Sequence, residues 1–166
     1  MKRNATLTLT ITLAAMLLLV YAGINYFIKP QENDLPFRCS TFSNYNLSHQ
    51  NDKKIEFSVS QDLRFINSDL GYLLLNGQVI FGNQVTTLNR RIALSAGKKI
   101  DRETYRYKIR SIIPASNDTT PDAVFNLLLA EITLDPGYLQ LDMTQVDNKT
   151  YMIGGPLSVL FTCQRY

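Results

Sequence analysis

The sequence predicts a mainly β protein: a single N-terminal transmembrane helix, then a curled antiparallel sheet or a barrel, closed or incomplete, with one short helix. Three observations predict it. The chain opens with a run of 22 uncharged residues, Leu7 to Ile28. From Ile55 onward apolar residues recur with period two. One stretch, "NDTTPDAVFNLLLA" at 117–130, breaks that period.

The uncharged run is long enough to span a bilayer, which takes about 20 residues, and longer than the roughly 7–15 of a signal-peptide core. Tyr21, Tyr26 and Phe27 lie near its outer end, where aromatic rings prefer the headgroup zone. Val20-Tyr21-Ala22 before Gly23 also resembles a signal-peptidase site, and cleavage there would release a free exported protein. Length favours the retained anchor. Lys2 and Arg3 precede the run, which keeps the N-terminus in the cytoplasm and exports the rest. The expected layout is a cytoplasmic tail (1–6), a transmembrane helix (7–28), a stem (29–36) and a periplasmic β domain (37–166) at a bacterial inner membrane.

Three of the 17 basic residues (Lys2, Arg3, Lys29) flank the run, which leaves 14 basic against 14 acidic residues in the exported part. That balance argues against nucleic-acid binding. The two cysteines, Cys39 and Cys163, both fall in the exported part. In an oxidising compartment an even count reads as a disulfide, the alternative being two buried thiols. The one histidine, His49, is not clustered with the cysteines, so no metal site is expected.

Along the domain, 43–54 reads as a loop. Ile55, Phe57, Val59, Leu63 and Phe65 share one parity that only Gln61 breaks, as in a half-buried strand or a bent pair of strands. Leu73, Leu75, Val79 and Phe81 keep one parity through Asn76-Gly77. This predicts one long strand kinked at Gly77, with its turn at Gly82-Asn83. Val85 to Leu94 is a further strand, with Leu88, Ile92 and Leu94 on one face, and "SAGKK" (95–99) reads as a turn. In Arg102 to Ile113, Tyr105, Tyr107 and Ile109 alternate with Arg106, Lys108 and Arg110. Thr120 is expected to cap a helix with Pro121 in its first position, buried on most sides as a plug or lid. After the turns at 135–137 and 147–149, Leu139, Leu141 and Met143, and then Leu157, Val159, Phe161 and Cys163, form inward rows.

From Arg90 to Arg110 eight basic residues meet two acids, a local charge of +6. Arg102, Arg106, Lys108 and Arg110 are the candidate partner- or anion-facing residues. An ordinary solvated strand face explains the same pattern. Tyr72, Tyr105, Tyr107, Tyr138 and Tyr151 suit either a ligand cavity or plain β-propensity. No G-x-S-x-G, H-E-x-x-H or phosphate-loop motif occurs, so no enzyme and no cofactor is expected. A type IV pilin is disfavoured, because no acid lies between Met1 and Phe27.

"FRCS" (37–40), "GYLLLNGQVIFGNQVTTLNRRIAL" (71–94), "NDTTPD" (117–122) and "FTC" (161–163), behind one anchor with a short tail, resemble the FidL-like family of small inner-membrane proteins. That family is similar in plan to the ToxS-type partners of ToxR-like regulators. The resemblance implies an accessory role: binding, stabilising or modulating a ToxR-like single-pass membrane transcriptional regulator. It also implies a lipocalin-like barrel, and in some pairs sensing of a small amphipathic ligand such as a bile salt. The alternative is a stand-alone periplasmic small-ligand-binding β-barrel.

Overall fold

In the computed structural model, residues 14–23, 35–48, 54–156 and 158–166 are described. The chain divides into two compact units, Met1–Asp34 and Leu35–Tyr166. In the first, 14–23 form helix α1, whose Met16, Leu17, Leu18 and Leu19 are exposed. The rest of the expected membrane run, 7–13 and 24–28, lies outside the described residues, as does the stem up to 34 and His49. Among the described residues no helix is long and apolar enough to cross a membrane.

The second unit is an eight-stranded antiparallel barrel in sequential order: β1 (Phe37–Asn46), β2 (Ile55–Phe65), β3 (Gly71–Phe81), β4 (Gln84–Lys99), β5 (Thr104–Pro114), β6 (Tyr138–Gln145), β7 (Thr150–Gly154) and β8 (Val159–Arg165). Eight strands enclose a space that side chains fill. Here Phe57, Phe65, Tyr107, Leu75, Leu88, Ile92 and Leu139 fill it from the inward parity of successive strands. Helix α2 (Asp122–Ile132) adds Val124, Phe125, Leu128, Leu129 and Ile132.

Up-and-down topology gives the barrel two distinct ends. β1 starts at the base, where the β2–β3, β4–β5 and β6–β7 turns also lie. At the base Phe65 stacks on Tyr107 (4.7 Å between centroids, 7° between planes), and Phe37 meets Tyr151 edge-on at 4.9 Å. The opposite end is where β4 begins, and α2 docks there.

β2 is one strand, and Gln61 does not break its inward row. Gln61 is buried, and its amide donates to the Tyr45 hydroxyl at 2.7 Å. A polar side chain tolerates the interior when such a partner exists. β3 runs unbroken through Gly77 with its register to β2 and β4 unchanged, and a Cβ there would strike the Ser58 carbonyl oxygen of β2, so only glycine lets the two strands lie this close. The turn falls at Gly82-Asn83, with Gly82 at φ +59°.

Several expectations are corrected. Residues 43–46 extend β1 instead of opening a loop, because they ladder onto β2 from Ser43↔Val59 to Asn46↔Glu56. "SAGKK" is the end of β4, not a turn. The strand continues through a bulge at Ala96 (φ +50°), with register shifts against β5, because Gly97 lets the backbone close on Ser68 and the Tyr107 ring. The turn comes later and leaves Arg102 outside β5. Thr120 does not cap α2. Its hydroxyl donates to the Thr87 carbonyl at 3.0 Å, and Pro121 takes the N-cap position without a side-chain bond. α2 is a lid with one wet side, since Asn126, Ala130 and Glu131 are exposed. Val159 is exposed, because the register shift at Ile153/Gly154 turns the start of β8 outward. Leu157 lies outside the described residues.

Candidate functional site

β1 and β8 close the barrel, and they pair at only two positions, Cys39↔Arg165 and Ser40↔Gln164. By contrast, β1 pairs with β2 over its whole length. Below this short seam the chain end is tied down. The Tyr166 N–H donates to the Arg38 carbonyl at 3.3 Å, and its hydroxyl donates to Asp62 at 2.9 Å. Above it, Thr41–Asn46 has no ladder toward β8 among the described residues. Thr41, Ser43 and Tyr45 lie on the inward parity of β1 yet are only half-buried, as expected where the neighbouring strand diverges.

A recess of about 380 Å³ lies at this divergence, lined by Ser40, Thr41, Thr150, Thr162, Cys163 and Gln164. Its hydroxyl and amide groups suit backbone or polar partners. The Cys39–Cys163 disulfide crosses the seam where the hydrogen-bonded ladder stops, with Cα atoms 5.5 Å apart, and both sulfurs face the core. It closes a loop of 124 residues.

At the helix end, Arg90 departs from expectation. It belongs to the basic stretch, yet it falls on the inward parity of Leu88, Ile92 and Leu94 and is 5% exposed. Its Nε and Nη2 each donate to Asp118 at 3.1 Å, Nη1 donates to Asp122 at 2.7 Å, and Nη2 also donates to the Thr120 carbonyl. The guanidinium lies 4.5 Å from the centre of the Phe125 ring. One side chain thus joins β4 to the 115–121 loop and to α2. Burial pushes the Asp118 carboxyl up. The Arg90 guanidinium and the N–H groups of Asn89 and Thr120 outweigh that and hold it below the usual carboxylate range.

Of the four candidate basic residues, Arg106, Lys108 and Arg110 share the outward parity of β5, and Arg102 precedes the strand. Arg106 lies over the Tyr138 ring at 4.3 Å and reaches Asp135 at 3.9 Å. Lys108 and Arg110 point outward from β5, and Arg102 lies in the β4–β5 turn. Of the five tyrosines, Tyr105 and Tyr107 are interior, Tyr72 and Tyr138 carry Arg91 and Arg106 on the outer face, and Tyr151 is half-buried against Phe37. The Tyr105 and Tyr107 hydroxyls have no hydrogen-bond partner among the described residues. Burial first, and then the neighbouring Tyr105 and Asp69, push the Tyr107 hydroxyl up to about 12.

The expected disulfide is present and joins the first strand to the last, but sequence reasoning missed how short the ladder beside it is, and it missed the Arg90 junction. The signal that could have found Arg90 is its parity, which it shares with Leu88, Ile92 and Leu94. Nothing local marks the seam, because strands 124 residues apart form it.

One protein family, described as FidL-like putative membrane protein, matches residues 77–163, just over half of the chain. The match runs from Gly77 to Cys163 and takes in α2 and its anchoring loop. No curated protein matches.

Proposed function

The chain belongs to the FidL-like family, and from that premise we propose that it is a membrane-anchored accessory protein. Its barrel binds, and stabilises or modulates, the exported domain of a ToxR-like single-pass membrane transcriptional regulator. Residues 7–28 are the anchor in a bacterial inner membrane, with the N-terminus cytoplasmic and the barrel periplasmic. The seam carries this reading. A β1 edge without a ladder, beside a polar recess, offers main-chain groups to an added strand. Two proteins held in one membrane meet at high effective concentration, so a modest interface suffices.

The test is co-purification of the full chain with the regulator from detergent, alongside a reporter for the regulator's target promoter. Alternation from the Arg38 carbonyl, which faces β8, puts the Asn44 N–H on the same side. Asn44→Pro removes that donor and leaves the β2 side of β1 laddered. Loss of co-purification with an unchanged melting temperature is the expected result. If nothing co-purifies with the wild-type chain, and its deletion leaves the regulator's level and output unchanged, the accessory reading fails. Binding of a small amphipathic ligand of the bile-salt type by the chain alone would favour the carrier alternative.

A further inference from the structure

The outer wall of the barrel is divided by charge. Arg91 and Lys98 on β4 and Arg106, Lys108 and Arg110 on β5 all stand exposed on it. β6 to β8 hold a single basic residue, Arg165, and it lies against the Phe37 ring. A protein surface ordinarily intersperses both signs. Here, among the described residues, one carboxylate reaches the five cations: Asp135, 3.9 Å from Arg106. Protection of an open sheet edge does not explain them. Arg91 is laddered to both β3 and β5, and Arg106 and Lys108 to both β4 and β6, so their strands have no free edge there.

The wall also has a shape and a spacing. Ala93 pairs with Ser111 and Ser95 with Lys108, so small side chains leave a low strip along β4 and β5. Arg91 stands at one end of the strip, Lys98 and Arg106 at the other, and Lys108 and Arg110 beside it. Two of the guanidiniums rest on aromatic faces, Arg91 over Tyr72 and Arg106 over Tyr138, each at 4.3 Å. A ring face holds a guanidinium in place without cancelling its charge. Arg106 and Lys108 are two residues apart, about 6.6–6.8 Å along a strand, and Arg110 continues the row at a register shift. An extended peptide repeats alternate side chains at the same interval, so acidic residues at every second position meet this row one for one.

We infer that the β4–β5 wall docks an extended acidic segment of a protein partner. The segment lies over Ala93, Ser95 and Ser111 and sets alternate Asp or Glu side chains against Lys108, Arg110 and their neighbours. This rests on the accessory reading for the partner being a protein, and it adds a second contact: the seam offers main-chain groups, and this wall offers side-chain charge.

The test is fluorescence anisotropy of the full chain in detergent at low ionic strength, with two labelled peptides of equal composition. One alternates Glu and Ser, and the other carries the same residues as a Glu block and a Ser block. The alternating peptide is expected to bind more tightly. Lys108→Gln with Arg110→Gln should weaken it at least about fivefold, as two lost exposed ion pairs imply. Lys54→Gln with Lys149→Gln removes the same charge elsewhere and should leave binding within about twofold of the wild type. No binding, equal affinity for both peptides, equal loss in the two double variants, or tighter binding of the acidic polysaccharide alginate overturns the inference. Co-purification with the regulator reads the premise separately. A chain that co-purifies but ignores the peptides fails the wall alone, and a chain that binds the alternating peptide yet co-purifies with nothing fails the accessory reading and keeps the wall.

Discussion

Replacing Asp118 by Asn tests whether one buried ion pair fastens the lid to the barrel. The Asp118 side chain is 2% exposed and that of Arg90 5%, whereas Arg90's other carboxylate partner, Asp122, is 85% exposed. The substitution leaves the guanidinium buried with a solvated counter-charge and an amide group opposed to its own N–H donors. Removing one member of a buried pair costs about 3–5 kcal/mol. An unfolding entropy of about 2.1 cal/mol/K per residue gives about 0.28 kcal/mol/K for a unit the size of Leu35–Tyr166, so the melting temperature falls by about 11–18 °C. The assay is thermal unfolding of the full chain in detergent, followed by circular dichroism, for Asp118→Asn, Arg90→Met and the double variant. The double variant is expected to melt above Asp118→Asn, since no unpaired charge stays buried. Simple additivity, or an Asp118→Asn melting within about 3 °C of the wild type (about 1 kcal/mol), would refute the reasoning. The pH dependence has a definite sign. Asp118 is held below its unfolded value, so its stabilisation is complete above about pH 4 and is lost as the pH falls through the folded value. Asp62, Asp101 and Asp147 are also depressed and stay in both proteins, so the signal is the difference between the wild-type and Asp118→Asn curves at acid pH.

Reducing the Cys39–Cys163 bridge, or replacing both residues by Ser, is expected to cost up to about 4–5 kcal/mol for a 124-residue loop, read as a lower denaturant midpoint with a steeper slope, since the unlinked chain exposes more surface on unfolding. It should also speed amide exchange in β1 and β8 before β2 and β3, and uniform acceleration across all strands would contradict a local seam. Gly77→Val puts a branched Cβ into the Ser58 carbonyl and should destabilise by about 2 kcal/mol or more, whereas Gly82→Asn, at a positive φ with open space around it, should stay within about 1 kcal/mol of the wild type by thermal melting. Tyr107→Phe removes a buried hydroxyl without a described partner and keeps the ring on Phe65. It should be neutral or stabilising by about 1 kcal/mol, and a loss of more than that would reveal a partner for the hydroxyl.

Read by itself, the sequence determined what local chemistry dictates. Period-two alternation set most of the inward rows, from Ile55–Phe65 to Leu139–Met143, because a pleated strand sends alternate side chains to opposite faces. It ran one strand straight through Gly77 and located Gly82-Asn83 as a turn, where the backbone freedom of glycine is needed. Two cysteines left one intramolecular pair to form, and the Cys39–Cys163 bridge is that pair. The tertiary structure alone decided the rest. The ring closes with two residue pairs between β1 and β8, a fact about strands at opposite ends of the domain that no window of sequence contains. "SAGKK" looks like a turn but continues β4, since a bulge and a glycine's close approach to Ser68 and Tyr107 depend on neighbours outside the segment. Thr120 has the sequence of a helix cap, yet it bonds to β4, because the loop is laid along that strand by the buried Arg90–Asp118 pair. The turns wound by the Asn67, Asp101 and Asp147 side chains come together at one end only because an up-and-down barrel brings alternate hairpins to the same side.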